Sequence, residues 1–204
     1  MSASTILVDP IYHRYSVAGQ PVPSVTQILA PLNDFRRVPL HILGAASRFG
    51  TAVHKACELD DLGVLDEATL DPSLKGYLTA WRRFTQEHRA VWSLVEERLF
   101  HAQMQYAGTV DRFGTVNGAP AVVDLKTSAT LYPSVGPQLA AYAKAIPQAG
   151  ALTRRIAAQL KADGRYQLRE YSSASDWAVF ASLLTLRHFC RSHHITPHFQ
   201  ESFK

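Results

Sequence analysis

The chain has 204 residues, of which 47% are hydrophobic and 19% charged, and its formal net charge at pH 7 is +4. This composition can supply a folded core, and it excludes a disordered chain, a collagen-like repeat and a small disulfide-stapled scaffold. Two cysteines are too few for a four-cysteine zinc or iron–sulfur site, and no apolar run reaches the roughly 18 residues that span a bilayer, so we expect one cytoplasmic domain with no membrane partner.

The beginning of the chain is predicted to form a short β-hairpin followed by a short helix. Two strands, TILVD and HRYSV, lie within residues 5–17, and Pro21 and Pro23 then interrupt the strand pattern. Ser24 has the residue type that an N-cap requires, and Pro31 marks the end of the helix that Ser24 begins.

Two longer helices complete the N-terminal third, residues 1–90. Apolar residues at helical spacing run from about 39 to 62, where Gly63 ends the pattern, and again over about 72–89. We therefore expect helices to dominate this part of the chain after the initial hairpin.

Residues 91–194 change to a strand-rich pattern in the order β-β-β-α-β-β-α. No linker or repeat separates this part from the N-terminal third, so we predict a single α/β domain, 1–204, with a mixed central sheet flanked by helices. The final helix is expected to begin in a capping box formed by Ser173 and Asp176. The predicted segments are strands at 91–105, 106–116 and 119–128, a helix at 133–146, strands at 154–162 and 165–171, and a helix at 173–194.

The second and third of these strands are joined by Asn117-Gly118, the strongest short sequence pattern for a hairpin. Counting outward from a two-residue loop places Asp111 directly opposite Asp124, with the Cβ atoms about 4.5–5.5 Å apart. Because side chains alternate along a strand, Lys126 lies on the same face as Asp124. The pattern therefore predicts two carboxylates and a lysine on one face of the sheet.

Two carboxylates placed in this way repel each other, by about 3 kcal/mol at an effective dielectric constant of about 20. A hard divalent cation such as Mg²⁺ removes the repulsion and prefers oxygen ligands. Lys126 can then orient an attacking water or stabilise charge on phosphate oxygens. A pair of surface carboxylates with Lys126 as a salt-bridge partner is the alternative, but the apolar strand AVVDLKTS that contains Asp124 and Lys126 favours the metal site.

The motifs GTVDRFG, VVDLKTS and QLAAY, with GTAVHKACE upstream, resemble the RecB-like branch of the PD-(D/E)XK nuclease superfamily. The early segment PSVTQIL resembles the start of phage exonucleases and of the mitochondrial genome maintenance exonuclease family. The similarity extends from about residue 21 to residue 190. It implies a restriction-endonuclease-like αβββαβ core, which agrees with the predicted strand order, in a protein encoded by a bacterium or a phage.

The resemblance also implies a catalytic group. Asp111, Asp124 and Lys126 correspond to the acidic and lysine positions of the family motifs, and Lys126 is the implied catalytic lysine. Glu58 and Gln138 are assigned to the same group by their positions in the helix motif and in the QxxxY motif.

A divalent metal ion, Mg²⁺ or Mn²⁺, is the cofactor that the resemblance implies. Its expected ligands are His54, Asp111, Asp124 and the backbone carbonyl of Leu125. Glu96 matches a glutamate that often precedes the GTVD strand, and we expect it to support the site, although the adjacent Glu97 leaves the alignment open. The iron–sulfur members of the branch need four cysteines, so no iron–sulfur cluster is expected.

Helical spacing is consistent with these roles. His54 and Glu58 are four residues apart and share one helix face, and Gly50 lies one turn earlier, where it permits close approach to the sheet or to a phosphate. Gln138 and Tyr142 have the same spacing and are expected to support the site and to contact nucleic acid. A solvated glutamate on a helix face remains an equally good interpretation of Glu58.

Exposed arginines are further candidates for contacts with DNA phosphates, in agreement with the positive net charge. Solvated positions on helices would explain any one of them equally well. The arginines considered are Arg36, Arg37, Arg48, Arg82 and Arg83.

These observations predict a metal-dependent deoxyribonuclease that hydrolyses phosphodiester bonds. Analogy with the resembling proteins favours an exonuclease acting on DNA ends or single strands in recombination, repair or phage DNA processing. Two alternatives stay open: a nuclease fold that binds nucleic acid or protein without catalysis, and an endonuclease for branched DNA or RNA. Nothing in the sequence distinguishes DNA from RNA or exonuclease from endonuclease action.

Overall fold

A computed structural model describes residues 6–9, 14–36 and 38–196. The strands in these ranges are β1 (Ile6–Asp9), β2 (Arg14–Val17), β3 (Gln20–Val22), β4 (Val91–His101), β5 (Tyr106–Val116), β6 (Ala119–Lys126), β7 (Arg154–Leu160) and β8 (Tyr166–Glu170). The α-helices are α1 (Val25–Leu29), α2 (Leu40–Asp61), α3 (Lys75–Glu87), α4 (Val135–Ala145) and α5 (Ser175–Ser192). Among the described residues, no helix combines the length and the hydrophobicity that crossing a bilayer requires.

The N-terminal strands β1, β2 and β3 form a small antiparallel sheet. The two predicted strands are confirmed, but β3 was missed because Pro21 argues against a strand. Ala18 and Gly19 both have positive φ, which gives the tight turn that returns the chain alongside β2. Because β3 is the edge strand of this sheet, Pro21 costs no ladder hydrogen bond there.

The N-terminal helices follow the local residue patterns closely. Ser24 caps α1 as predicted, and the structure adds a complete capping box with Gln27. Helix α2 ends at Asp61, and Leu62 is its C-cap. The next residue, Gly63, has a φ of +69°, which terminates the helix. The third predicted helix is divided into a 3₁₀ turn, Pro72–Leu74, and α3.

The central sheet has five strands in the order β4-β5-β6-β7-β8. All neighbouring pairs are antiparallel except β6 and β7, which are parallel because α4 carries the chain back across the sheet. The predicted sequence of elements and the mixed α/β architecture are therefore confirmed.

Helices cover both faces of this sheet. One cluster of buried side chains joins the sheet to α1, α4 and α5, and it includes Tyr106, Leu139 and Phe180. The other joins the sheet to α2 and α3 through side chains such as Trp81 and Phe84, both of which are fully buried. Burial on both faces explains why β6 and β7 are nearly continuous apolar runs.

The predicted capping box at the start of α5 is wrong. The Ser173 hydroxyl accepts from the backbone N–H of Ser175, one position too early for a capping box, and Ala174 stands at the N-cap without a side-chain bond. The Asp176 carboxylate forms an ion pair with Arg155 Nη1 at 3.0 Å. A long-range partner on β7 therefore takes the carboxylate that the local pattern assigned to the cap.

Candidate metal centre

Asp111 and Asp124 lie on adjacent strands at neighbouring positions. The β5–β6 ladder keeps its register from the hairpin turn to the pair formed by Arg112 and Val123, so the next residues along the two strands are the two aspartates. Both are buried, at 7% and 1% exposure. The predicted two-residue loop is confirmed, and its register is confirmed as far as the pair of Arg112 and Val123, where the ladder ends one position before the two buried aspartates.

His54 reaches these strands from α2. Its Nδ1 lies 3.6 Å from Asp111 Oδ2 and 3.3 Å from Glu96 Oε1, and its Nε2 lies 3.1 Å from the carbonyl oxygen of Leu125. One ligand atom each from His54, Glu96 and Asp111 falls within 4.8 Å of the others, and this group could hold a metal ion. The histidine and the carbonyl that the sequence predicted as ligands are therefore in contact, through the ring nitrogen that does not face the carboxylates.

Glu96 belongs to this group, whereas the neighbouring Glu97 is exposed. The β4–β5 ladder pairs Val95 with Arg112 and Glu97 with Val110, and the residue between them on β4 has a φ of +47°. A left-handed backbone costs a non-glycine residue on the order of 1 kcal/mol, and such strain concentrates at functional sites. At this irregular position the Glu96 carboxylate reaches His54, whereas Glu97 does not join the group.

Asp124 lies outside the group of three ligand atoms and pairs with Lys126 instead, with 2.7 Å between Oδ2 and Nζ. Neither of its oxygens makes a hydrogen bond of normal geometry, although both are buried. Lys126 Nζ also donates to Gln138 Oε1 at 3.1 Å, and Gln138 Nε2 donates to the Tyr142 hydroxyl at 3.3 Å. The structure thus joins the predicted lysine and the QxxxY residues in one chain of polar contacts that starts at Asp124.

The electrostatics of the site reflect its concentration of charge. Burial raises the pKa of Asp124, and Asp111 raises it further against the opposing effect of Lys126, to about 6. Burial lowers the pKa of His54, but Asp111 and Glu96 outweigh that effect and raise it to about 9. The pKa of Lys126 is raised because Asp124 and Asp111 outweigh its burial. The carboxylates are therefore strong attractors for cations.

The donor set fits a hard divalent ion. It offers carboxylate oxygens, one imidazole nitrogen and the carbonyl oxygen of Leu125, which are ligands that Mg²⁺ and Mn²⁺ accept. The buried Oδ1 of Asp124, which has no hydrogen-bond partner, is the independent observation that supports this fit, because native proteins seldom leave such an atom unsatisfied. Oδ2 already has Lys126 Nζ as its ion-pair partner.

A buried arginine behind the site was not predicted from the sequence. Arg112 is fully buried, and its Nε donates to Asp61 Oδ2 at 2.7 Å while its Nη1 donates to Glu96 Oε1 at 3.2 Å and to the Asp111 carbonyl at 2.6 Å. The guanidinium lies over the Trp81 ring, 5.4 Å from its centroid. Arg112 Nη1 and His54 Nδ1 therefore both contact the same oxygen of Glu96, Oε1. Strand alternation next to Asp111 was the only pattern that could have indicated its burial.

Replacement of Arg112 by methionine is expected to lower the free energy of unfolding by about 3–5 kcal/mol, because Asp61 loses the partner of a buried ion pair. Burial already raises the pKa of the Asp61 carboxyl. The additional change Asp61→Asn should recover part of the loss, since it removes the orphaned charge and keeps an acceptor for Trp81 Nε1. Urea unfolding measures these differences. A loss no larger than that of the exposed control Arg165→Met would contradict the argument.

Glu58 does not join the ligand atoms, although it shares the helix with His54. Its carboxylate accepts from Lys55 Nζ at 2.8 Å. Gly50 lies where the helix approaches the end of β6, and a Cβ at this position would be 3.5 Å from Thr127 Oγ1, which is an ordinary contact. The alternative interpretation of Glu58, a solvated helix residue, agrees better with this placement.

Two of the arginines considered for phosphate contacts are held by acidic side chains. Arg82 forms ion pairs with Asp60 and Glu67, and Arg83 with Glu87. The acidic partners lie on α2, on α3 and in the turn between them. These ion pairs account for the two arginines without a contact to nucleic acid.

The remaining arginines of that set are spread over the N-terminal part of the chain. Arg36 pairs with Asp34 at 2.9 Å, and Arg48 is exposed on α2. Arg37 lies outside the described residues.

The chain matches no protein-family model and no curated protein.

Proposed function

We propose that this protein is a metal-dependent nuclease of the RecB-like PD-(D/E)XK type that hydrolyses phosphodiester bonds in DNA. The observation that carries the proposal is the convergence of His54, Glu96 and Asp111 within 4.8 Å of one another, beside Lys126. These residues come from four segments that are distant in sequence. Such a combination of carboxylates, imidazole and ammonium at one point is suited to phosphoryl chemistry.

Mg²⁺ or Mn²⁺ is the proposed cofactor, with His54, Glu96, Asp111, Asp124 and the Leu125 carbonyl as the groups that would hold it. A bound ion of this kind lowers the pKa of a coordinated water and neutralises charge on the scissile phosphate. Glu96, which the sequence assigned only a supporting role, is therefore proposed as a ligand.

Lys126 has the position expected of a group that acts on the nucleophile and the phosphate. Its ammonium is held between Asp124 and Gln138, and its side chain is 24% exposed, so one side remains open to a substrate. A fixed cation costs no reorganisation when negative charge develops on phosphate oxygens. Gln138 accepts from Lys126, and Tyr142 in turn accepts from Gln138. These two residues therefore orient the lysine and do not orient the metal ligands.

The order of the elements supports a restriction-endonuclease-like core. Helix α2 precedes the antiparallel strands β4, β5 and β6, and α4 then connects β6 to the parallel strand β7, which corresponds to αβββαβ. Action on DNA ends or single strands follows only from the motif resemblance, and the experiment below is designed to test it.

Incubation with end-labelled linear DNA, closed circular single-stranded DNA and RNA tests the function, each with Mg²⁺, Mn²⁺ or EDTA. We expect linear DNA to be degraded with either ion, circular DNA to persist and EDTA to stop the reaction. Cleavage of circular DNA or RNA would establish the endonuclease or ribonuclease alternative. If all substrates stay intact and neither ion changes the melting temperature, the binding-module alternative would be favoured.

A further inference from the structure

A groove of about 330 Å³ lies between the small N-terminal sheet, α1 and the C-terminal half of α5. Its lining includes Arg14, Tyr15, Arg187, His188 and Arg191. Most of its charged or titratable side chains come from α5, which the metal centre does not use. We call it the arginine groove.

Arg187 and Arg191 give this groove its charge. They are one helical turn apart, and neither forms an ion pair within the described ranges 6–9, 14–36 and 38–196, whereas arginines such as Arg82 and Arg154 are neutralised by carboxylates. The only acidic residue of α5 is Asp176, which lies at the other end of the helix and binds an arginine of β7. Two uncompensated cations therefore face the same groove.

Tyr15 connects the arginine groove to the metal centre. It lines the groove, and its hydroxyl lies 2.9 Å from Thr109 Oγ1. Thr109 is two residues before Asp111 on β5, a separation of about 7 Å along the strand.

We propose that the arginine groove binds the phosphodiester backbone of a single DNA strand that leads to the metal centre, with Arg187 and Arg191 contacting neighbouring phosphates. This inference rests on the proposed nuclease function. Side chains four residues apart on a helix are about 5–6 Å apart at Cβ, and a guanidinium can bind a phosphate through two parallel hydrogen bonds. A volume near 330 Å³ suits a group of drug-like size, which corresponds to part of one strand and not to a duplex.

The test measures binding of a fluorescein-labelled 25-nucleotide single strand in EDTA, as a function of salt. Arg187→Gln/Arg191→Gln is compared with Arg89→Gln/Arg154→Gln, which removes the same two charges near the hairpin end of the sheet, where Arg154 contacts the carbonyl of Val116. In the groove variant the slope of log K against log salt should fall by about 1.4, because each single-strand phosphate contact contributes about 0.7. Affinity at low salt should fall on the order of tenfold. The control should retain both values.

Equal losses in the two double variants would overturn the inference, because the effect would then follow total charge. Unchanged binding by the groove variant would also overturn it, while Mg²⁺-dependent cleavage by the wild-type protein would keep the proposed function. Loss of binding to phosphatidylserine vesicles without an effect on DNA would assign the groove to membrane lipid instead. If the double variant does not fold, the single variants replace it, with a slope change of about 0.7 expected for each.

Discussion

Lys126→Ala is expected to lower the rate of DNA cleavage by about 10²–10³-fold while DNA affinity stays close to that of the wild-type protein. The ammonium is fixed by Asp124 and Gln138, and its charge matters most when negative charge develops on the phosphate oxygens. An interaction that strengthens only in the transition state changes the rate constant and not the binding of substrate. Single-turnover cleavage and fluorescence anisotropy measure the two effects separately.

Lys144→Ala is the matched control, since Lys144 is an exposed lysine on α4 and lies over the Trp177 ring rather than in the metal centre. Its cleavage rate should be that of the wild-type protein. Lys126→Arg keeps the charge but not the point geometry of an ammonium, so we expect an intermediate rate. Wild-type turnover in Lys126→Ala would reduce Lys126 to a salt-bridge partner of Asp124, which was the alternative interpretation of the sequence.

Asp124→Asn is expected to abolish cleavage and to remove the stabilisation that Mg²⁺ or Mn²⁺ confers. In the wild-type protein, ions bound to the folded state should raise the free energy of unfolding by about 2.7 kcal/mol at a concentration one hundred times Kd. The variant loses a buried carboxylate that has no normal hydrogen bond to hold it. Melting curves of both proteins, with the ions and with EDTA, provide the comparison.

The same variant has a defined effect on metal-free stability. Because the pKa of Asp124 is raised to about 6 in the folded protein, the folded state binds this proton more tightly than the unfolded state does. The free energy of unfolding contributed by Asp124 therefore falls as pH rises from about 4 to about 6, by about 3 kcal/mol if Lys126 does not respond. Asp124→Asn should lack this decline with rising pH.

Urea unfolding in EDTA at several values between pH 4 and pH 7.5 measures this difference. Parallel profiles for the two proteins would mean that the Asp124 proton does not contribute to stability. A variant that retains both the Mg²⁺-induced shift and cleavage would remove Asp124 from the metal centre altogether.

Local patterns in the sequence determined the elements and the register of the central hairpin. The capping box at Ser24 and the turn at Asn117-Gly118 depend on residues that are neighbours in the chain, so they can be recognised without the rest of the fold. Because strand side chains alternate with a period of two, the position of that turn was sufficient to bring Asp111 and Asp124 together. The placement of Asp111 and Asp124 at neighbouring positions of adjacent strands was therefore predictable.

The tertiary structure alone decided which charged groups complete the site. Glu96 has a left-handed backbone conformation and contacts His54. Arg112 donates to Asp61 of α2, which is 51 residues earlier in the sequence. Glu58, in contrast, finds its partner in Lys55 one turn away.

The same limit explains the arginines. Whether an arginine is neutralised depends on carboxylates that other segments bring near it. Glu67 neutralises Arg82 in this way. Arg187 has no such partner in the part of the chain that the structure describes. A local pattern can be overridden for the same reason, since Arg155 takes the Asp176 carboxylate from the predicted cap of α5. The sequence by itself therefore determined the elements other than β3, and the hairpin register, because both depend on neighbouring residues. The pairing of charges was decided only by tertiary structure, because an ion pair depends on distance in space.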